Sequence, residues 1–309
     1  MKSESELLDG IHFLLTYECN FECNHCFLHC SPNSKGTFTL NQITHALDEA
    51  TKIDSVRWIY FEGGEPFLYY PLMLEGIKLA KERGFKIGIV TNSYWATCEE
   101  DAKLWLREIS HLEISDFSIS DDEFHYGEGQ ENLAKYAKNA ANQLRIPTLT
   151  ITIEKTGDKG LKKDQGKGEP VVGGDIMVRG RAADLLIDDL PREKWREWKE
   201  LRECPYEDLE GLGRVHLDCY GNTQVCQGLS IGNYWKTPLS DLVKNYDPKK
   251  HPICGPLLKG GPAHLIETYN LKHDEVYVDE CHLCYAARKA LIDKFPEYLG
   301  PKQVYGLEE

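Results

Sequence analysis

Two rhythms of apolar and polar positions alternate along the first 180 residues of this chain. Short apolar runs read as strands, and longer stretches with apolar residues three and four apart read as helices. The run Ile11-His12-Phe13-Leu14-Leu15-Thr16 is a strand leading straight into a cysteine-rich loop. Residues 39–50 predict a helix, with Thr39 as N-cap and Ile43, Ala46 and Leu47 on its apolar face. Residues 56–61 predict a buried strand that ends in Glu62-Gly63-Gly64-Glu65-Pro66. A helix carrying Leu72, Ile77 and Leu79 follows and closes at Gly84. Residues 85–90, 117–120, 149–153 and 176–178 are further strands, and residues 99–109 and 132–144 are helices.

Strands alternating with helices imply a parallel sheet with right-handed crossovers. Six such units over about 180 residues suit a partial (β/α)6 barrel, since a closed eight-stranded barrel needs about 250. The fold class is therefore α/β: a partial barrel over residues 1–190, followed by a small α+β cysteine-rich domain over residues 191–309. Residues 155–174, rich in Gly and Lys, suggest a lid or a tolerated surface insertion. Residues 191–202, with Trp195 and Trp198 three apart, read as a charged helix bridging the two parts.

Composition narrows the picture. With 41% hydrophobic and 28% charged residues among 309, the chain reads as a soluble globular protein. It has no apolar run near the roughly 20 residues of a membrane span. The polar start, Met1 to Glu6, carries no signal-peptide core, so the expected compartment is the cytoplasm. Acids outnumber bases 50 to 36, a net charge of −14, which disfavours nucleic acid as partner. Eleven cysteines in a reducing compartment are not expected to form structural disulfides. Four lie between Cys19 and Cys30, six between Cys204 and Cys284, and Cys98 stands alone, which suggests two metal sites.

Cys19, Cys23 and Cys26 place three thiols in one loop after a strand. Three thiolates can hold three irons of a cubane and leave the fourth iron open. A structural zinc site, completed by His25, His29 or Cys30, is the rival on spacing alone. The glycines of Gly63-Gly64-Glu65-Pro66 allow close backbone approach to a ligand, and Glu65 offers an acceptor to an ammonium group. The Cys-x3-Cys-x2-Cys pattern before Phe27, taken with this tetrapeptide, closely resembles the radical S-adenosylmethionine (radical SAM) superfamily. That resemblance implies a [4Fe–4S] cluster on Cys19, Cys23 and Cys26 whose open iron chelates S-adenosylmethionine. It also implies contacts to the cofactor from Gly63, Gly64, Glu65 and Pro66, and from Asn92 and Ser120 at strand ends. Arg179, preferred to Arg181 as strand-borne, is the candidate partner of the cofactor's carboxylate. Cys30 reads as a buried structural thiol, and His125 as either a substrate-facing or a surface residue.

Cys204, Cys226, Cys281 and Cys284, with Gly221 in a hairpin over residues 215–226 and a helix starting near Cys284, form the second constellation. It resembles the twitch or SPASM appendages of some radical enzymes, which implies one auxiliary [4Fe–4S] cluster, with Cys219 as a substitute for Cys204 and Cys254 spare. A zinc ribbon fits the same spacing. The resemblance implies reductive cleavage of S-adenosylmethionine to a 5′-deoxyadenosyl radical, fed by a flavodoxin or ferredoxin, and hydrogen abstraction from a small-molecule or peptide substrate. Three outcomes stay open: dehydrogenation, cross-linking, or epimerisation with Cys254, Cys219 or Cys98 returning hydrogen. Only ten residues precede the first strand, which leaves no N-terminal peptide-recognition module and counts against a peptide substrate unless a separate partner protein supplies one. A reading of another class is a non-catalytic zinc or iron–sulfur scaffold, which would not need Gly63 to Pro66 or the polar strand ends.

Overall fold

The computed structural model of the protein describes residues 7–127, 131–154, 167–168 and 172–307. The first part runs β1 (Gly10–Thr16), α1 (Leu40–Ala50), β2 (Trp58–Gly63), α2 (Tyr70–Glu82), β3 (Lys86–Thr91), α3 (Glu99–His111), β4 (Asp116–Ser120), α4 (Glu123–Tyr126), α5 (Ala134–Gln143), β5 (Thr148–Glu154), β6 (Gly173–Asp175) and α6 (Arg181–Leu185). Strands β1 to β6 lie side by side in chain order, every neighbouring pair parallel. This is the mixed α/β architecture with a parallel central sheet that the alternation predicts.

Local chemistry explains the boundaries. Thr39 caps α1 in a full capping box: its hydroxyl accepts from the Gln42 amide while the Gln42 side chain accepts from the Thr39 amide. The face of α1 bearing Ile43, Ala46, Leu47 and Ala50 is buried. Strand β1 is buried along its whole length, as a central parallel strand must be. Its Phe13 stacks on Phe61 of β2, with ring centroids 5.5 Å apart, in the layer under the helices.

The remainder runs β7 (Arg196–Glu197), β8 (Arg214–Asp218), β9 (Asn222–Cys226), β10 (Leu229–Asn233), α7 (Leu239–Asn245), α8 (Cys254–Tyr269), β11 (Val276–Tyr277) and α9 (Glu280–Leu291). The expected hairpin is β8–β9, but it does not form a sheet of its own. Strand β8 pairs in parallel with β1, and β9 and β10 continue antiparallel, so one nine-stranded sheet spans both parts of the chain.

Two expected elements differ. The sixth strand is residues 173–175, not 176–178: Gly173 to Asp175 pair with the end of β5 although they carry no apolar pattern. Residues 191–202 form short 3-10 turns around β7 instead of a helix. There Trp198 packs on His273 with centroids 4.3 Å apart, and β7 pairs with β11, so the i, i+3 tryptophan spacing braces turns. Most of the proposed lid, residues 155–166 and 169–171, lies outside the described residues, as do Met1 to Glu6. Among the described residues no helix is long and apolar enough to cross a membrane.

Candidate active site

The loop after β1 is held as a rigid unit. The Arg181 guanidinium donates to the carbonyls of Cys23 and Cys30, each at 2.8 Å, and the Arg181 amide donates to the Cys26 carbonyl at 2.9 Å. Amide groups also point at sulfur: Phe21 N–H toward Cys19 Sγ at 3.4 Å, and Cys30 N–H toward Cys26 Sγ at 3.3 Å. Asn92 Nδ2 is a second donor to Cys19 Sγ, at 3.5 Å. Interaction with the Cys30 thiol brings Cys26 down to about 6, whereas burial pushes Cys19 up to about 12.

Donor spacing bears on the two metal readings. A tetrahedral zinc, with Zn–S near 2.3 Å, holds its sulfurs only about 3.8 Å apart. Among the described residues, the sets of three donor atoms lying within 4.8 Å of one another are His12–Glu62–His216 and His25–Asp122–His125, and neither contains a thiol. No three thiols lie mutually that close among the described residues, and the N–H groups aimed at Cys19 and Cys26 suit thiolates that bind metal.

The motif after β2 serves two ends. A Cβ on Gly64 would stand 2.1 Å from the Glu18 carbonyl oxygen, so only glycine lets this turn lie against the cysteine loop. Gly180 is alike at φ +59°, where a Cβ would meet Phe27 Cα at 2.5 Å. Glu65 is fully buried and its carboxylate is occupied: it accepts from Thr91 Oγ1 at 2.9 Å, the Asn92 amide at 2.7 Å and the Phe67 amide at 3.0 Å. Burial outweighs these donors and raises Glu65 to about 7.

A cavity of about 570 Å³ opens at the C-terminal ends of β1 to β5. It brings together Cys19, Cys23, Cys26, Gly63, Gly64, Asn92, Ser120 and Arg179 on its lining, while Glu65 and Pro66 stay behind the wall. Arg179 reaches it from the turn after β6, not from a strand, and its guanidinium lies over the Phe27 ring at 5.4 Å. His125 also lines the cavity and is no surface residue. Burial lowers it, but its 2.7 Å contact with Asp122 and the nearby Cys23 raise it to about 10.

The second thiol site adjoins this cavity. Burial, with Cys284 and Cys226 close by, raises Cys204 to about 12, and Cys281 is pushed up by burial and senses Cys204 and Cys226. Cys254, raised to about 12 by burial, is a fifth thiol near Cys226 and Cys284. Cys219 instead sits at the β8–β9 turn, where its carbonyl accepts from Trp235 Nε1 at 3.2 Å. Arg179 Nη1 bridges cavity and site, donating to Cys226 Sγ at 3.2 Å and to Glu207 at 3.1 Å. Cys254 and Cys219 are buried and do not line the cavity, and Cys98 caps α3 with its sulfur toward the Asp101 amide.

Sequence reasoning missed His12, Glu62 and His216, which line the cavity floor, and the bracing role of Arg181. The signal was available as polar residues on one face of otherwise apolar strands: His12 in β1, His216 in β8 and Glu62 at the end of β2.

Comparison with known proteins agrees with this geometry. Residues 13–155 match the family model "Radical SAM superfamily". A Bacillus subtilis (strain 168) protein named for peptide biosynthesis, YydG, is 28% identical over 264 residues, spanning 83% of this chain and 72% of its own. An S-adenosylmethionine-dependent nucleotide dehydratase of Fibrobacter sp. (strain UWH6) is 21% identical over 68% of this chain and 60% of its own length. Among solved structures, BtrN in complex with AdoMet and 2-DOIA superposes with a TM-score of 0.51 at 16% identity, covering 79% of this chain and 84% of that one, a likeness of fold.

Proposed function

Because the chain belongs to the radical SAM superfamily through residues 13–155, we propose that it modifies a peptide by abstracting a hydrogen atom, and that the substrate radical is resolved at the second thiol site. The observation that carries this reading is the single cavity that joins the Cys19–Cys26 loop to Arg179, and through Arg179 to Cys226. When bound, the cluster and S-adenosylmethionine supply reductive cleavage to methionine and a 5′-deoxyadenosyl radical. A flavodoxin or ferredoxin is the proposed electron source.

The chain's own residues then bind and aim. Cys19, Cys23 and Cys26 hold the cluster, and the backbone edge of Gly63 and Gly64 receives the amino end of the cofactor. Asn92 and Ser120 offer polar groups from strand ends on the same lining. Arg179 is buried, and its Nε has no hydrogen-bond partner among the described residues, which suits a carboxylate arriving from the cavity. Glu65 has the role of holding the Asn92 and Phe67 amides, and so the end of β3, in place.

Cys204, Cys226, Cys281 and Cys284 are the proposed ligands of the auxiliary cluster in residues 191–309. Neither the hydrogen donors first considered, Cys254, Cys219 and Cys98, nor the four second-site thiols line the cavity; what supports resolution at the second site is Arg179, which lines the cavity and donates to Cys226. Resolution there takes one of two forms, electron uptake by a cluster or hydrogen return by a thiol left unligated. Relatedness to YydG favours a peptide over a small molecule as substrate. A non-catalytic scaffold would have no use for a cavity of this size beside its cysteines.

Anaerobically reconstituted protein given S-adenosylmethionine and dithionite should release 5′-deoxyadenosine. Short peptides encoded beside the gene should then be screened by mass spectrometry and chiral analysis in deuterated water. Loss of two hydrogens assigns oxidation, and one solvent deuteron with inverted configuration assigns epimerisation. No 5′-deoxyadenosine from cluster-replete protein would overturn the reading.

A further inference from the structure

Strands β8, β1 and β2 meet in register so that His216 and Tyr60 both stand opposite His12, with Glu62 opposite Leu14, one side chain farther along the same face. The inner face of a parallel barrel is normally filled with branched apolar residues. Here it carries two imidazoles converging on one carboxylate: His12 Nδ1 lies 3.2 Å from Glu62 Oε2, and His216 Nε2 lies 3.2 Å from Glu62 Oε1. The three donor atoms fall within 4.8 Å of one another, and all three residues line the cavity. His12 and His216 are each more than nine-tenths buried, and His12 stacks flat on the Tyr60 ring at 4.4 Å, which fixes its plane.

We propose that His12, Glu62 and His216 bind one divalent transition-metal ion on the floor of the cavity. The separations fit: ligand bonds of about 2.0–2.2 Å at angles between tetrahedral and octahedral place N and O donors about 3.0–3.4 Å apart. Two imidazoles with one carboxylate select zinc, iron(II) or a neighbouring ion over magnesium or calcium. Arg214, on the same strand β8 as His216, is turned to Glu207 at 3.5 Å, and Glu207 also takes Arg179. The other compact set, His25–Asp122–His125, joins the cysteine loop to the start of α4 and sits against Cys23. An ion at Glu62 would face the cavity and offer its open positions to an oxygen or nitrogen of whatever occupies it.

The test does not use turnover, so it stands apart from the proposed reaction. Holoprotein reconstituted with iron and sulfide is stripped with a chelating resin, titrated with zinc sulfate, and read by elemental analysis and zinc K-edge absorption. The expected wild-type result is about one zinc per chain with a nitrogen/oxygen shell near 2.0–2.1 Å. A shell of sulfur near 2.3 Å, or no retained zinc, overturns the proposal. His216→Ala and Glu62→Gln should each weaken zinc retention by roughly tenfold to a hundredfold or more, with iron content unchanged. Equal zinc in the wild type and in an iron-replete variant overturns it as well. Should one variant fail to load iron, the wild-type shell still decides.

Discussion

The first thiol site takes Cys19, Cys23 and Cys26 from eight consecutive residues, whereas the second draws Cys204, Cys226, Cys281 and Cys284 from three separate segments. The first is held by its own backbone: Arg181 ties together the Cys23 and Cys30 carbonyls, and Gly64 closes against Glu18. The second exists only because β8 joins β1 and carries β9 with Cys226 to the start of α9. Local construction allows a site to be preformed before its ligand arrives. Assembly from distant segments makes the second site a readout of whether the whole sheet has formed, so metal there should also stabilise the fold. Arg179 links the two, since it lines the cavity and donates both to Cys226 and to Glu207.

The largest expected effect separates the two sites outright. Replacing Cys19, Cys23 and Cys26 together by Ala should abolish 5′-deoxyadenosine formation while the second site keeps its metal. If that metal is a second cubane, iron analysis should return about four irons per chain from the triple variant. Product persisting in the triple variant would mean that the first loop is not the reducing site.

Next comes the ligand set of the second site. Cys281→Ala with Cys284→Ala removes two thiols from the first turns of α9 and should empty that site, leaving only the iron of the first. Cys254→Ala is the sharper variant, because five thiols converge and a cubane needs four. Unchanged iron keeps Cys254 as a buried spare. Loss of the second cluster would make Cys254 a ligand and free one of the other four thiols.

How much of this was legible in the sequence follows the same division. Strands β1 to β5, helices α1 to α3 and the first thiol loop could be read because each is set by neighbours a few residues away, as with Thr39 and Gln42. Strand β6 could not, since Gly173 to Asp175 are strand only through pairing with β5. The pairing of β8 with β1, some 200 residues apart, leaves no local trace, and with it went the His12–His216 contact. Residues 191–202 misled because two tryptophans three apart also suit a braced turn. Glu65 was identified as important, but a carboxylate facing a ligand and one gripping amides behind the wall look the same in sequence.

That last point yields a pH test of moderate size. In the unfolded chain the Glu65 carboxyl loses its proton near 4.5, and in the folded protein near 7. Between those values the folded state binds more protons at this group, so the contribution of Glu65 to stability is greatest below pH 4.5 and falls as pH rises toward 7. The shift corresponds to about 3 kcal/mol at most. Glu65→Gln should flatten that part of the stability curve in urea titrations, at the expense of one lost amide acceptor. An unchanged slope would mean that the Asn92, Phe67 and Thr91 donors already keep Glu65 ionised.

The smallest effect belongs to the thiol outside both sites. Cys98 is the N-cap of α3, with extended backbone, and its sulfur accepts weakly from the Asp101 amide at 3.4 Å. A serine hydroxyl is a stronger acceptor and is among the preferred caps, so Cys98→Ser should stabilise the protein by about 0.5 kcal/mol. Since Cys98 does not line the cavity and its sulfur faces the Asp101 amide, iron content, 5′-deoxyadenosine yield and peptide product should stay at wild-type values. Thermal unfolding of the two holoproteins measures the first expectation, and one turnover assay measures the second. A variant that still cleaves S-adenosylmethionine yet makes no inverted peptide would return Cys98 to the reaction and require α3 to open toward the cavity.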